Sequence, residues 1–99
     1  MIIRVFRARM KPGATAHQLA QFATEVTLPS LDSEPGLVAR YAGTGLGQTG
    51  DEFTVISVWE DLESLKASSG DEWERPLWPD PRAKELIAEV FMHHYESTG

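Results

Sequence analysis

The chain has 99 residues, the length of one domain spanning 1–99. Its hydrophobic fraction of 41% and charged fraction of 24% are those of a globular domain, and a net charge of −6 argues against nucleic acid as the main partner, because no basic stripe is left to displace phosphate counterions. The absence of cysteine excludes disulfides, thiolate nucleophiles and cysteine-based zinc sites.

No apolar run approaches the roughly 18 residues of a membrane span. The opening MIIRVFRARMK has neither the long apolar core nor the small-residue cleavage site of a signal peptide. The expectation is a cytoplasmic protein without a membrane partner.

Ile2 to Met10 reads as a first strand. Ile3 and Val5 share one face with Arg7 and Arg9, and Ile2, Phe6, Ala8 and Met10 share the other with Arg4. Lys11-Pro12-Gly13 ends it with turn chemistry. Thr15 and Gln18 have the spacing of a capping box, in which a hydroxyl and an amide each satisfy a backbone N–H of the helix start. The helix that follows carries Ala16, Leu19, Phe22, Ala23 and Val26 on one stripe and should run to about Leu28, where Pro29 stops or kinks it. Leu31 fits one more irregular turn, and Glu34-Pro35-Gly36 is a turn.

Leu37 to about Gly43 is a second strand. Gly43 to Asp51 carries four glycines and reads as a mobile hairpin loop. It lacks the lysine and the following helix of a phosphate-binding loop. Phe53 to Trp59 is a third strand, apolar on both faces and therefore central. Asp61 caps a short helix from Leu62 to about Ser69, closed by Gly70. Asp71 to Trp78 places Trp73 and Trp78 among charges. Asp80 is positioned to cap a helix with Pro81 first, running to about Ile87, and Ala88 to Glu96 is the last strand.

The order β-α-β-β-α-β predicts an α+β, ferredoxin-like fold, a four-stranded antiparallel sheet with helices on one face. Every strand is nonetheless apolar on both faces. An uncovered apolar sheet face is a large sticky patch. A second copy packed on it by a two-fold axis removes that patch, so the expectation is a homodimer forming a barrel-like core.

The stretch VISVWEDLESLKASSGDEWER, the KPG after the first strand, the EPG before the second and the terminal HHYE resemble the antibiotic biosynthesis monooxygenase family, over nearly the whole chain. The resemblance implies a dimeric α+β barrel. It further implies oxygenation of a small electron-rich aromatic, a quinol or polyketide-like phenol, with no metal, flavin or other cofactor. The substrate would sit between sheet and helices, lose a phenolic proton and reduce O₂ directly in a dry pocket.

Trp59 matches the tryptophan of the family's strand-helix stretch and is a candidate wall for an aromatic ring, against the plainer reading of a core tryptophan. His94 and Tyr95 match the terminal His-Tyr pair, with His94 a candidate base because imidazole titrates near neutrality. His93 and His94, adjacent in a strand, point to opposite faces, so only one can line a given pocket. Phe22, Arg40, Tyr41, Trp73 and His93 are candidate substrate contacts, and Trp78 a candidate lid; His17 reads as a surface residue. Arg7 and Arg9 are expected to pair with acids such as Glu89 or Glu96. The adjacent histidines do not converge, and no third residue stands at ligand spacing, so no metal site is expected. Two other functions compete. Haem degradation in this fold uses an asparagine, and the chain has none. A non-catalytic dimeric ligand-binding or accessory protein predicts a pocket without aligned proton-transfer groups.

Overall fold

The computed structural model describes residues 1–75 and 81–99. Trp78 and the Asp80 cap lie outside the described residues. Four strands, β1 (Ile2–Met10), β2 (Leu37–Thr44), β3 (Glu52–Trp59) and β4 (Ile87–Glu96), form one antiparallel sheet in the order β2-β3-β1-β4. This is the ferredoxin-like arrangement expected from the element order.

The register fixes what each face carries. Arg4 stands opposite Ser57 on one side and His94 on the other, and Phe6 lies between Val55 and Met92. On this face Ala8, Met10, Phe53, Val55, Ser57, Trp59 and Met92 are buried. With Leu19, Ala23 and Leu28 from the helices, Ala83 from the second crossover and Ile87 from the start of β4, most of them form the core. Trp59 and Leu65 are wholly buried. A leucine so placed contributes about 1.5–3 kcal/mol by leaving water.

The first crossover departs from the sequence pattern. α1 (Ala16–Phe22) opens with the expected capping box, Thr15 with Gln18. It then widens into a π turn over Ala23–Thr27 and continues as α2 (Leu28–Asp32), past Pro29. The Leu28 N–H bonds the Ala23 carbonyl, five residues back. Because that bond has already broken the i→i−4 ladder, Pro29 enters at the first turn of α2, where its missing N–H costs little. The extra residue in the turn also rotates the stripe. Val26, expected inward, is 41% exposed, and Leu28 takes the buried position.

Asp61 caps α3 (Leu62–Ser69) through the Ser64 N–H, and Gly70 ends it at a φ of 85°, a left-handed value that glycine adopts without strain. The last crossover helix is shorter than expected: α4 (Pro81–Lys84) stops before Ile87, which is already the first residue of β4. A buried Ile87 packs in the core as a strand residue, so the helix ends three residues earlier and the strand begins one residue earlier than the apolar pattern implied.

The other sheet face carries Ile3, Val5, Ile56, Val58 and Phe91, all partly accessible, with Tyr41 and Tyr95 63% and 57% exposed. No described helix covers it. Arg7 bonds Glu52 and lies 5.1 Å from the centre of the Phe91 ring, and Arg9 pairs with Glu89 as expected.

Candidate functional site

A cavity of about 280 Å³ opens between the buried sheet face and the helices. Its floor is apolar: Phe6, Phe53, Val55 and Met92 from the sheet, Leu19 and Phe22 from the first crossover. Trp59, Ser57 and Arg4 form one polar end of that floor, because the register sets Arg4 beside Ser57. Thr27, Ser30 and Glu34 from the π turn and α2, and Ser68 and Ser69 from the end of α3, supply further polar groups. The π turn therefore contributes directly to the cavity wall through Ala23 and Thr27, a common placement for such bulges.

The electrostatics centre on Arg4. Its Nε donates to His94 Nε2 at 2.9 Å, and its Nη2 donates to the Trp73 carbonyl at 3.1 Å. Both acceptors are neutral, and no described carboxylate forms an ion pair with it. Burial alone pushes its pKa down to about 10, low for a guanidinium. His94 is pushed below 6.5, first by burial and then by the Arg4 charge, with a smaller opposing pull from Glu74. The ring is therefore neutral at pH 7, with Nε2 as its acceptor and the proton on Nδ1. The Trp73 ring meets it edge-on, centroids 4.9 Å apart and planes at 76°.

Trp59 is wholly buried, and its Nε1 donates to the Ser57 hydroxyl at 2.9 Å. Trp59 and Phe22 line the cavity as the sequence suggested. His94 is on the helix side of the sheet, and His93 on the other, as strand alternation requires. His94 does not itself reach the cavity wall: Arg4 stands between, and His94 and Trp73 hold Arg4 from behind.

The remaining candidates are not brought to this cavity. Tyr41, His93 and Tyr95 project from the opposite face, where strand alternation carries them once His94 faces the helices. Arg40 is on the helix side, but both arms of its fork bond the Asp32 carboxylate at 2.8 Å, tying β2 to the end of α2. Arg4 and Ser57 are the residues the sequence reading passed over. The available signal was a single arginine among Ile2, Phe6, Ala8 and Met10, and a single serine among Phe53, Val55 and Trp59. Among the described residues no three His, Asp or Glu side chains gather as a metal site would require, and no helix is long and apolar enough to cross a membrane.

A sheet closed by helices on one face over a walled apolar cavity defines a small ferredoxin-like domain suited to holding a small molecule. The sequence profile of the antibiotic biosynthesis monooxygenases matches residues 1–72, and the chain belongs to that family. Solved structures agree on the fold. SnoaB, a cofactor-independent oxygenase from Streptomyces nogalater, superposes with a TM-score of 0.70 at 13% identity, covering 99% of this chain and 93% of that one. A protein of unknown function from Nitrosomonas europaea gives 0.70 at 20% identity, covering 99% and 89%. A conserved protein from Methanosarcina mazei gives 0.69 at 19% identity, covering 99% and 94%. No curated protein matches the sequence.

Proposed function

We propose that the chain is a cofactor-independent monooxygenase acting on a small electron-rich aromatic, a quinol or polyketide-like phenol, held between sheet and helices. The observation that carries this reading is an apolar cavity with one cation, Arg4, on its wall. Family membership and the SnoaB fold support the reaction class.

The chemistry follows from that pairing. A free phenol ionises near pH 10, and a cation within a few ångströms lowers such a value by roughly 1–3 units. Arg4 therefore favours the phenolate of a bound ring near neutral pH, its proton leaving to solvent. The electron-rich anion reduces O₂ and bonds one oxygen atom. The peroxide anion takes a proton back from solvent and the hydroperoxide loses water, so that in an anthrone a ring CH₂ and O₂ become a carbonyl and H₂O, and in a hydroquinone a ring C–H and O₂ give a hydroxyquinone and H₂O. In this reading His94 positions Arg4 and is not the base. The protein's contribution is a dry enclosure and a fixed charge where the anion forms.

The open sheet face supports a homodimer, each copy covering the apolar strand residues of the other. One observation favours a second reading, a non-catalytic ligand-binding protein: among the described residues no imidazole or phenol lines the cavity. Oxygen consumption with a panel of hydroquinones and anthrones separates the two. Uptake above the protein-free rate supports the oxygenase, and uptake at that rate for every compound rejects it.

A further inference from the structure

Arg4 presents an unusual balance. It is partly buried on the wall of an apolar cavity, and it is fixed by two bonds, yet both go to neutral acceptors. Elsewhere arginines sit against acids: Arg7 with Glu52, Arg9 with Glu89, Arg40 with Asp32 and Arg75 with Glu72. Among the described residues Glu34 is the one carboxylate lining the same cavity, and it forms no ion pair with Arg4. A desolvated cation without a counter-charge is costly unless an anion completes it.

The free donors define what that anion looks like. A guanidinium has five N–H groups. Nε and one hydrogen of Nη2 are taken by His94 and Trp73, which leaves both hydrogens of Nη1 and the second of Nη2. Such a pair of terminal nitrogens matches two neighbouring oxygens. Ser57, the cross-strand partner of Arg4, also lines the cavity. Its oxygen accepts from Trp59 Nε1, which can only donate, so the Ser57 O–H is left to donate elsewhere. The rest of the floor is apolar and the volume, about 280 Å³, is at the small end of ligand pockets, which run from roughly 300 to 1,000 Å³.

We propose that Arg4 and Ser57 form an anion subsite, and that the ligand of this cavity is a compact aromatic whose negative charge is shared by two adjacent oxygens, a carboxylate or an ionised hydroxyl beside a carbonyl. The proposal deepens the oxygenase reading and rests on it for the identity of the cavity as the substrate site. Glu34, on the same wall, disfavours the opposite orientation of such an anion. His94 and Trp73 aim the guanidinium without neutralising it, so its full charge remains for the ligand.

The test is calorimetric titration of the full-length protein with 3-hydroxy-2-naphthoate and with its neutral amide. The wild type is expected to bind the acid at least about tenfold more tightly than the amide, as charge-assisted bonds require. Arg4→Met should abolish the preference and leave amide affinity within about twofold, Arg4→Lys should keep part of it, and Ser57→Ala should weaken the acid by about threefold. Equal affinity for acid and amide, binding of neither, or a preference that survives in Arg4→Met overturns the proposal. Should Arg4→Met fail to fold, the wild-type comparison and Arg4→Lys decide. Oxygen uptake with hydroquinones and anthrones is read separately. Uptake without the acid preference rejects the subsite alone, and the preference without uptake rejects the oxygenase reading alone.

Discussion

Arg4 donates its Nε hydrogen to Nε2 of His94 at 2.9 Å, across neighbouring strands on the buried side of the sheet. A neutral imidazole accepts that bond; a protonated one has only donors and repels the guanidinium. His94 is accordingly held below its ordinary value of 6.5 by burial first and by Arg4 second, with Glu74 and His93 as the other nearby charges. Between 6.5 and the lower native value, the unfolded chain takes up a proton that the native chain refuses. Native stability therefore falls as pH drops through that window and levels off below it. His94→Gln retains an acceptor for Arg4 and removes this slope. Urea midpoints measured against pH for both proteins should diverge only below about 6.5. Parallel curves contradict the assignment.

The open face predicts an assembly. Val5 stands between Ile56 and His93 at the middle of that face. A homodimer packed there should give a sedimentation mass of two chains at micromolar concentration. Val5→Asp buries an unpaired carboxylate in the interface and should yield single chains that keep their circular dichroism spectrum. A one-chain mass for the wild type contradicts the dimer.

Trp59 fills the end of the cavity and bonds Ser57. Trp59→Phe keeps most of the ring but removes the N–H, and the loss of one buried hydrogen bond should cost about 1 kcal/mol in denaturant unfolding. Ligand affinity should fall as well, because Ser57 then has no donor fixing its rotamer. Unchanged stability and affinity together contradict this role.

Thr15 and Gln18 close the capping box at the start of α1. Thr15→Ala should cost about 1 kcal/mol. The cap is remote from the cavity chemistry, so oxygen uptake per folded molecule should not change.

Local chemistry makes much of the fold readable in the sequence. The capping box, the Asp61 cap and Gly70 are short-range signals, and each recurs in the structure; β3 is an inner strand as its apolar residues implied, though within one chain only one of its faces is buried. The π turn did not show, because proline reads as a helix breaker unless a wider turn is already in place around it. Val26 and Leu28 exchanged roles for the same reason. The site was half visible. Trp59 and Phe22 could be placed because each sits on a regular apolar stripe. Arg4 could not, because its importance lies in what it lacks, a carboxylate partner, and that is a property of three elements packed together. Strand alternation said that His93 and His94 face opposite ways but left open which of them faces the helices; the register puts His94 there, with Arg4 between it and the cavity.

Oxygen consumption by the full-length protein with a panel of anthrones and hydroquinones tests the central claim most directly. The account predicts uptake above the protein-free rate, one water formed per O₂ consumed, insensitivity to chelators, and a loss of at least about tenfold in Arg4→Met. Uptake no faster than without protein across the whole panel, or full activity in Arg4→Met, would contradict it.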